Sequence, residues 1–261
     1  MRKFLRTVLL IVAAAVALMA YLRANNDMFD RFPGRHVVTA HAAGAIDGFV
    51  YTNSFEAFNN SVAAGCRFIE LDIVPSSDGY PIAFHSNPYL PDTLYTTDPP
   101  SLAEFTSKKI WGRYTPITAR DIEQLLRENP QVYLVVDKED NVEVLNKYFS
   151  DFKHRMFVEC FSVEAYRKVA KAGYYCPMLN VKAFRLSHVV MQDLRHLFNS
   201  DEPRVGAVVI NHRHYAAEAA ARRKVEWLNK PVAVYTSRSR AQTDSLFRAI
   251  PNCVMVYTDT P

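Results

Sequence analysis

The run Phe68-Ile69-Glu70-Leu71-Asp72-Ile73-Val74 sets two carboxylates two positions apart inside an otherwise apolar segment. On a strand, Ile69, Leu71 and Ile73 share one face and Glu70 and Asp72 the other. If covering helices take the apolar face, both acids turn inward, and each raises the other's pKa unless a cation neutralises them. A divalent metal held by oxygen ligands is the simple remedy. An edge strand with both acids in water is the alternative. Three more polar residues close apolar runs: His41 after Val37-Val38-Thr39-Ala40, His85 after Ile82-Ala83-Phe84, and Asp137 after Tyr133-Leu134-Val135-Val136. Two histidines and three acids are the kit for phosphodiester hydrolysis. A cation offsets the phosphoryl charge, one group takes a proton from the nucleophile, and another protonates the leaving alkoxide.

Such residues need strands whose ends converge. From residue 36 onward, apolar strand patterns alternate with helical ones. Strands are expected at His36–His41, Arg67–Val74, Ile82–His85, Val132–Asp137, Met156–Cys160, Tyr175–Asn180, Val205–Ile210, Pro231–Thr236 and Cys253–Tyr257. Helices are expected over Ser54–Ala64, Thr118–Arg127, from Ser162, near Leu186–Phe198, over Ala216–Trp227 and over Ala241–Ala249. The alternation predicts an α/β fold, a TIM (β/α)8 barrel, whose active sites lie at the carboxyl ends of the strands. Nine strands are one too many. Seven residues between Val74 and Ile82 are too few for a parallel crossover, so Ile82–His85 reads as the return strand of a hairpin turning at Asp78-Gly79. The Pro- and aromatic-rich tract 86–117 reads as a rim insertion on the barrel domain, 36–261.

The formal net charge of +4 is concentrated at one end. Arg2, Lys3, Arg6 and Arg23 precede or close an uncharged run from Thr7 to Leu22, and the remaining 27 basic residues balance 27 acidic ones. This balance argues against nucleic acid as a partner. The basic-then-apolar layout of residues 1–24 marks a signal anchor or signal peptide, with 25–35 as linker. An uncleaved anchor is the favoured form. Ala15 and Ala17 offer the small-x-small spacing of a cleavable signal, in which case the domain is secreted. Positive-inside logic puts the domain on the extracytoplasmic side, periplasmic or extracellular. Cys66, Cys160, Cys176 and Cys253 have no metal-site spacing, and three sit in or beside apolar strands, where buried thiols are expected.

The ordered pieces His41-Ala42-Ala43-Gly44, Thr52-Asn53-Ser54-Phe55-Glu56-Ala57-Phe58, Gly65, Ile69-Glu70-Leu71-Asp72-Ile73, Ser77-Asp78-Gly79 and His85 resemble the opening of the glycerophosphodiester phosphodiesterase family. Its order there is HRG, PENTLxAF, a glycine, ELDV, a TxDG turn and a strand ending in HD. Weaker matches follow at Thr115-Pro116-Ile117, Val136-Asp137-Lys138, Cys160-Phe161-Ser162, Pro231–Thr236 and the closing Tyr257-Thr258-Asp259-Thr260-Pro261. The resemblance implies a phosphoric diester hydrolase that releases glycerol 3-phosphate and an alcohol with Mg or Ca. It assigns Glu70, Asp72 and Asp137 as metal ligands and His41 and His85 as the acid/base pair. These are the five residues that the strand ends single out.

The chain departs from that pattern at several points. Ala42 replaces the phosphate-binding arginine, Thr52 the glutamate of PENT, and Ser86 the aspartate after the second histidine, while Glu139 or a shifted Lys138 stands at the EIK lysine. Losing a bidentate arginine is not conservative. Lys138 is the expected substrate-binding replacement, with Arg213 and Arg238 more distant. The expected substrate is a glycerophosphodiester-like lipid or cell-envelope compound, with membrane contact through the N-terminal segment. The alternatives are a non-catalytic barrel that binds a phosphorylated ligand or partner, and cleavage by an internal hydroxyl to leave a cyclic phosphate.

Overall fold

The computed structural model of the chain describes residues 2–24, 30–32, 36–86, 98–183 and 185–261. An apolar helix, α1 (Arg2–Ala24), precedes everything else. The first units are β1 (Val37–Ala40), α2 (Phe55–Ala63), β2 (Phe68–Pro75), β3 (Pro81–Ala83), α3 (Leu102–Ser107) and α4 (Ala119–Glu128). Next come β4 (Tyr133–Asp137), α5 (Val142–Phe149), β5 (Met156–Cys160), α6 (Val163–Lys171), β6 (Cys176–Asn180) and α7 (Leu186–Phe198). The chain finishes with β7 (Ala207–Asn211), α8 (His212–Ala217), α9 (Ala219–Leu228), β8 (Val232–Ser237), α10 (Arg240–Ala249) and β9 (Cys253–Thr258).

All strands but β3 are parallel, each paired with the next around a ring that β9 and β1 close through Val37↔Met255 to Ala40↔Thr258. This is the closed eight-stranded TIM barrel expected from the alternation. The surplus strand is the expected hairpin return: β3 pairs antiparallel with β2 through Ile73↔Ala83, Val74↔Ile82 and Pro75↔Pro81.

Strand alternation sorts the core into two layers. Ile69, Leu71, Leu134, Val136, Val158, Val208 and Val234 point outward under the helices. Val37, Phe68, Val135, Phe157, Met178, Val209, Ala233 and Met255 fill the barrel. Each of these side chains larger than alanine contributes roughly 1.5–3 kcal/mol when fully buried. Short polar residues start the helices: Ser54, Ser162 and Ser239 each accept the backbone N–H three residues on, and Thr118 and Asp121 form a reciprocal capping box.

Three short helices were not expected: α5, α8 and, within the tract 86–117, α3. α5 lies in the charged stretch after β4, where Asn141 caps it. α8 precedes the expected α9 because the Asn211 side chain accepts from Arg213 N–H and His214 N–H, starting a helix at the strand's last residue. Of the tract 86–117, residues 87–97 lie outside the described residues. Its remainder carries α3 and packs Phe105, Ile110 and Tyr114 on Ile82 and Phe84. All four cysteines are free thiols, with Cys160, Cys176 and Cys253 buried.

Candidate active site

At the carboxyl end of β2, Glu70 and Asp72 are both buried inside the barrel (1% exposed each). Asp137, at the end of β4, pairs in register with Asp72. Ligand oxygens of Glu70, Asp72 and Asp137 lie within 4.8 Å of one another. Their surroundings divide the charge unequally. Burial, then Asp72 and Asp137, push the Glu70 carboxyl well above the ordinary range. Burial, then Asp72, push Asp137 to about 6. Burial opposes ionisation of Asp72 too, but the charges of Lys138, His85 and His41 outweigh it and hold this carboxyl low.

The backbone reinforces the cluster. Ala42 N–H donates to Glu70 Oε2 at 2.6 Å, from a residue in the left-handed region at φ 47°. Asn53 clamps Asp72 from both sides, its Nδ2 donating to Oδ2 at 2.9 Å and its Oδ1 accepting from the Asp72 N–H at 3.1 Å. Lys138 Nζ pairs with Asp72 Oδ1. Burial alone would lower its pKa, yet Asp72 and Asp137 keep the ammonium charged. The expected phosphate-binding lysine is thus turned onto a carboxylate of the cluster.

The two histidines stand either side of Tyr51, whose ring centroid is 4.7 Å from each imidazole. His41 Nδ1 meets Asp259 Oδ1 at 2.8 Å, and its Nε2 lies 3.5 Å from Thr236 Oγ1. Burial, and secondarily the Lys138 charge, hold His85 below the ordinary histidine value despite the pull of Asp72. Its buried Nδ1 has no protein hydrogen-bond partner.

A cleft of roughly 130 Å³ lies over these groups, bordered by His41, Glu70, Asp137, Lys138, Glu159 and Tyr235, among others. Glu159, from β5, is a fourth buried acid. Its carboxylate accepts from Asn180 Nδ2 at 2.6 Å, and burial with the nearby Asp137 charge pushes it well above the ordinary range.

The structure therefore brings His41, His85, Glu70, Asp72, Asp137 and Lys138 together in one place. Arg213, in the first turn of α8, and Arg238, in the loop after β8, are exposed, and Arg238 is near enough to act on Tyr51. Asn53, Tyr51, Glu159 and Asp259 were not singled out from the sequence. Asn53 and Asp259 sat inside motifs already noted, Thr52-Asn53-Ser54 and Thr258-Asp259-Thr260, without an assigned task. Glu159 was visible as an acid inside the apolar strand Met156–Cys160. Tyr51 had no signal, since only the folded turn sets it between the histidines.

The trio fits a divalent cation. Glu70 Oε1 is buried without a hydrogen-bond partner, and the carboxylates repel one another at a distance that a shared cation would satisfy.

A closed parallel barrel with an acidic trio, two of its members buried, and two histidines at its carboxyl end defines a (β/α)8 barrel equipped for metal-assisted acid/base chemistry. Residues 40–126 match the model of the glycerophosphoryl diester phosphodiesterase family. The resemblance read from the sequence, and the enzyme class that goes with it, phosphoric diester hydrolase, are borne out. Similar solved structures include a glycerophosphodiester phosphodiesterase from Parabacteroides distasonis, at 10% identity and TM-score 0.62, covering 87% of this chain and 93% of that one. The glycerophosphodiester phosphodiesterase of Thermotoga maritima follows at 15% identity and TM-score 0.57, covering 86% and 95%. A phosphodiesterase from Oleispira antarctica, solved with its product sn-glycerol-3-phosphate, gives 19% identity and TM-score 0.60, covering 90% and 96%. At these identities the likeness is one of fold. No curated protein matches the chain.

Proposed function

We propose that the chain hydrolyses a glycerophosphodiester-like compound, with Glu70, Asp72 and Asp137 holding Mg or Ca and His41 and His85 moving the protons. The observation that carries this reading is the clustering of an orphaned buried Glu70 oxygen with Asp72 and Asp137, beside a cleft that His41, Glu70 and Asp137 border, with His85 across Tyr51 from His41. A bound divalent cation would offset charge on the phosphoryl oxygens. His85, kept neutral by burial, is suited to take a proton from the nucleophilic water. His41, fixed in ring orientation by Asp259, is set to deliver one to the leaving alkoxide. Lys138 fills part of the role of the missing arginine: it sits over Asp72 at the rim of the same cleft, from where its ammonium meets an incoming phosphate.

The test is hydrolysis of glycerophosphodiesters and of bis(p-nitrophenyl) phosphate by the full chain, with and without EDTA, followed by phosphorus NMR of the product. Metal-dependent release of a phosphomonoester supports the reading. Turnover that survives both EDTA and Glu70→Ala defeats it, a cyclic phosphate redirects it to internal attack, and ligand-induced stabilisation without turnover points to the non-catalytic barrel. The apolar helix α1 supports membrane attachment, with the barrel on the extracytoplasmic side by the charge of its leading residues.

A further inference from the structure

The end of the barrel that faces the membrane follows from where the chain enters it. α1 carries an apolar stretch, Lys3–Tyr21, none of which is buried against the barrel. At 23 residues it is about 35 Å long, enough to cross a hydrocarbon core of about 30 Å. Five residues, 25–29, then separate it from Asp30. Even fully extended, the span from Ala24 to Asp30 is at most about 22 Å.

The next residues are fixed at the end of the barrel where the strands begin. Phe32 is 4% exposed. Its ring meets Phe157 at 5.5 Å, and Phe157 in turn packs on Phe68, Tyr133 and Tyr175, which open or immediately precede β2, β4 and β6. Arg31 donates to the Tyr175 carbonyl. The cleft with His41, Glu70 and Asp137 lies at the opposite end. To bring that cleft to the bilayer, the tether would have to pass outward beyond the helix ring and then up its height, a path of roughly 40 Å for helices of this length. The available chain is about half of that.

A second, independent feature lies at the strand-start end. Outside α1, Phe198 is the most exposed large apolar side chain among the described residues, at 84%. It closes α7 beside the half-exposed Leu197, just before the loop that leads into β7. Arg195 is in the same helical turn, and Arg204 lies in the following loop. An exposed aromatic beside basic residues is the composition that enters a bilayer interface.

We propose that the strand-start end of the barrel rests on the membrane that holds α1, with Phe198 and Leu197 in its interface, so that the catalytic mouth faces away and takes water-soluble phosphodiesters rather than lipids embedded in that bilayer. The orientation stands on the tether and on Phe198. The substrate class rests also on the hydrolytic reading above.

The full chain in phosphatidylcholine–phosphatidylglycerol vesicles tests both. With Cys66→Ser removing the one partly exposed thiol, Phe198→Cys and Lys182→Cys each carry an environment-sensitive fluorophore; Lys182 is exposed in the turn after β6, at the mouth. Spin-labelled lipid is expected to quench position 198 several-fold more than position 182. Equal quenching, or stronger quenching at 182, overturns the orientation. In the same vesicles, glycerophosphocholine is expected to turn over at least ten-fold faster than lysophosphatidylcholine placed in the bilayer. Comparable rates overturn the substrate class. If neither is hydrolysed, the hydrolytic reading fails, while the quenching pattern still decides the orientation.

Discussion

At the residue scale, the acidic trio makes the metal-free chain sensitive to pH in two directions. Glu70 and Asp137 have raised pKa values, so the stability of their protonated forms is complete below the unfolded value and is lost as pH rises through the folded one, about 6 for Asp137. For Asp137 alone this loss is on the order of 3 kcal/mol. Asp72 is depressed, so its contribution is present above the unfolded value and is lost as pH falls below it. The chelated protein is therefore expected to be most stable at about pH 4 and to lose stability as pH rises from there through about 6. Added Mg or Ca is expected to raise Tm far more at pH 7.5 than at pH 5, because protons and cation compete for the same oxygens. Thermal unfolding with and without metal at both pH values checks this, and equal shifts contradict it. Glu70→Gln is expected to raise the Tm of the chelated chain and to remove the metal shift. Asp259→Asn should lower kcat by about ten- to a hundred-fold at near-constant KM, since the imidazole keeps its place but loses the carboxylate that fixes its tautomer; steady-state kinetics reads that split.

At the element scale, the turn after β1 aims His41, and one glycine makes it possible. Gly44 has φ 91°, its N–H returns to the His41 carbonyl at 2.7 Å, and a Cβ there would lie 2.5 Å from Ser61 Oγ. Ser61 cannot retreat freely, because its hydroxyl donates to the Ala43 carbonyl at 2.6 Å. Gly44→Ala is expected to cost about 1–3 kcal/mol in urea unfolding and to reduce activity by shifting His41. Patterning carried this level of the structure well. The boundaries of β5 and α7 and the hairpin nature of β3 follow from periodicity, caps and connection length, which act locally. α5 and α8 escaped because each is short, eight and six residues, and is started by a single asparagine cap. Glu159 and Tyr51 escaped as site residues for a different reason. Their proximity to the trio and the histidines comes from barrel closure, which joins residues far apart in sequence, and neither position alone has distinctive chemistry.

At the scale of the whole molecule, the short segment ahead of β1 has a structural task besides the tethering proposed above. The barrel interior is open at both ends unless side chains fill it; the mouth is occupied by the polar cluster, and Phe32 occupies the other end against Phe157. A buried phenylalanine removed from such a position leaves a cavity that rigid strands cannot close, at about 3–5 kcal/mol. The charge distribution bears on the same segment, since the net positive charge sits in residues 1–23 and the barrel itself is neutral; nothing electrostatic compensates for a lost plug. Two truncations separate the roles. A chain starting at residue 25 keeps Phe32 and loses only the apolar helix, so its Tm and soluble-substrate kinetics should match those of the full chain in detergent. A chain starting at residue 36 should unfold at a Tm lower by roughly 10 °C or more, as expected for a loss of this size in a domain of over 200 residues. The point variant Phe32→Ala in the chain from residue 25 should reproduce most of that loss, and an unchanged Tm in that variant would show that Phe32 is not what closes the barrel.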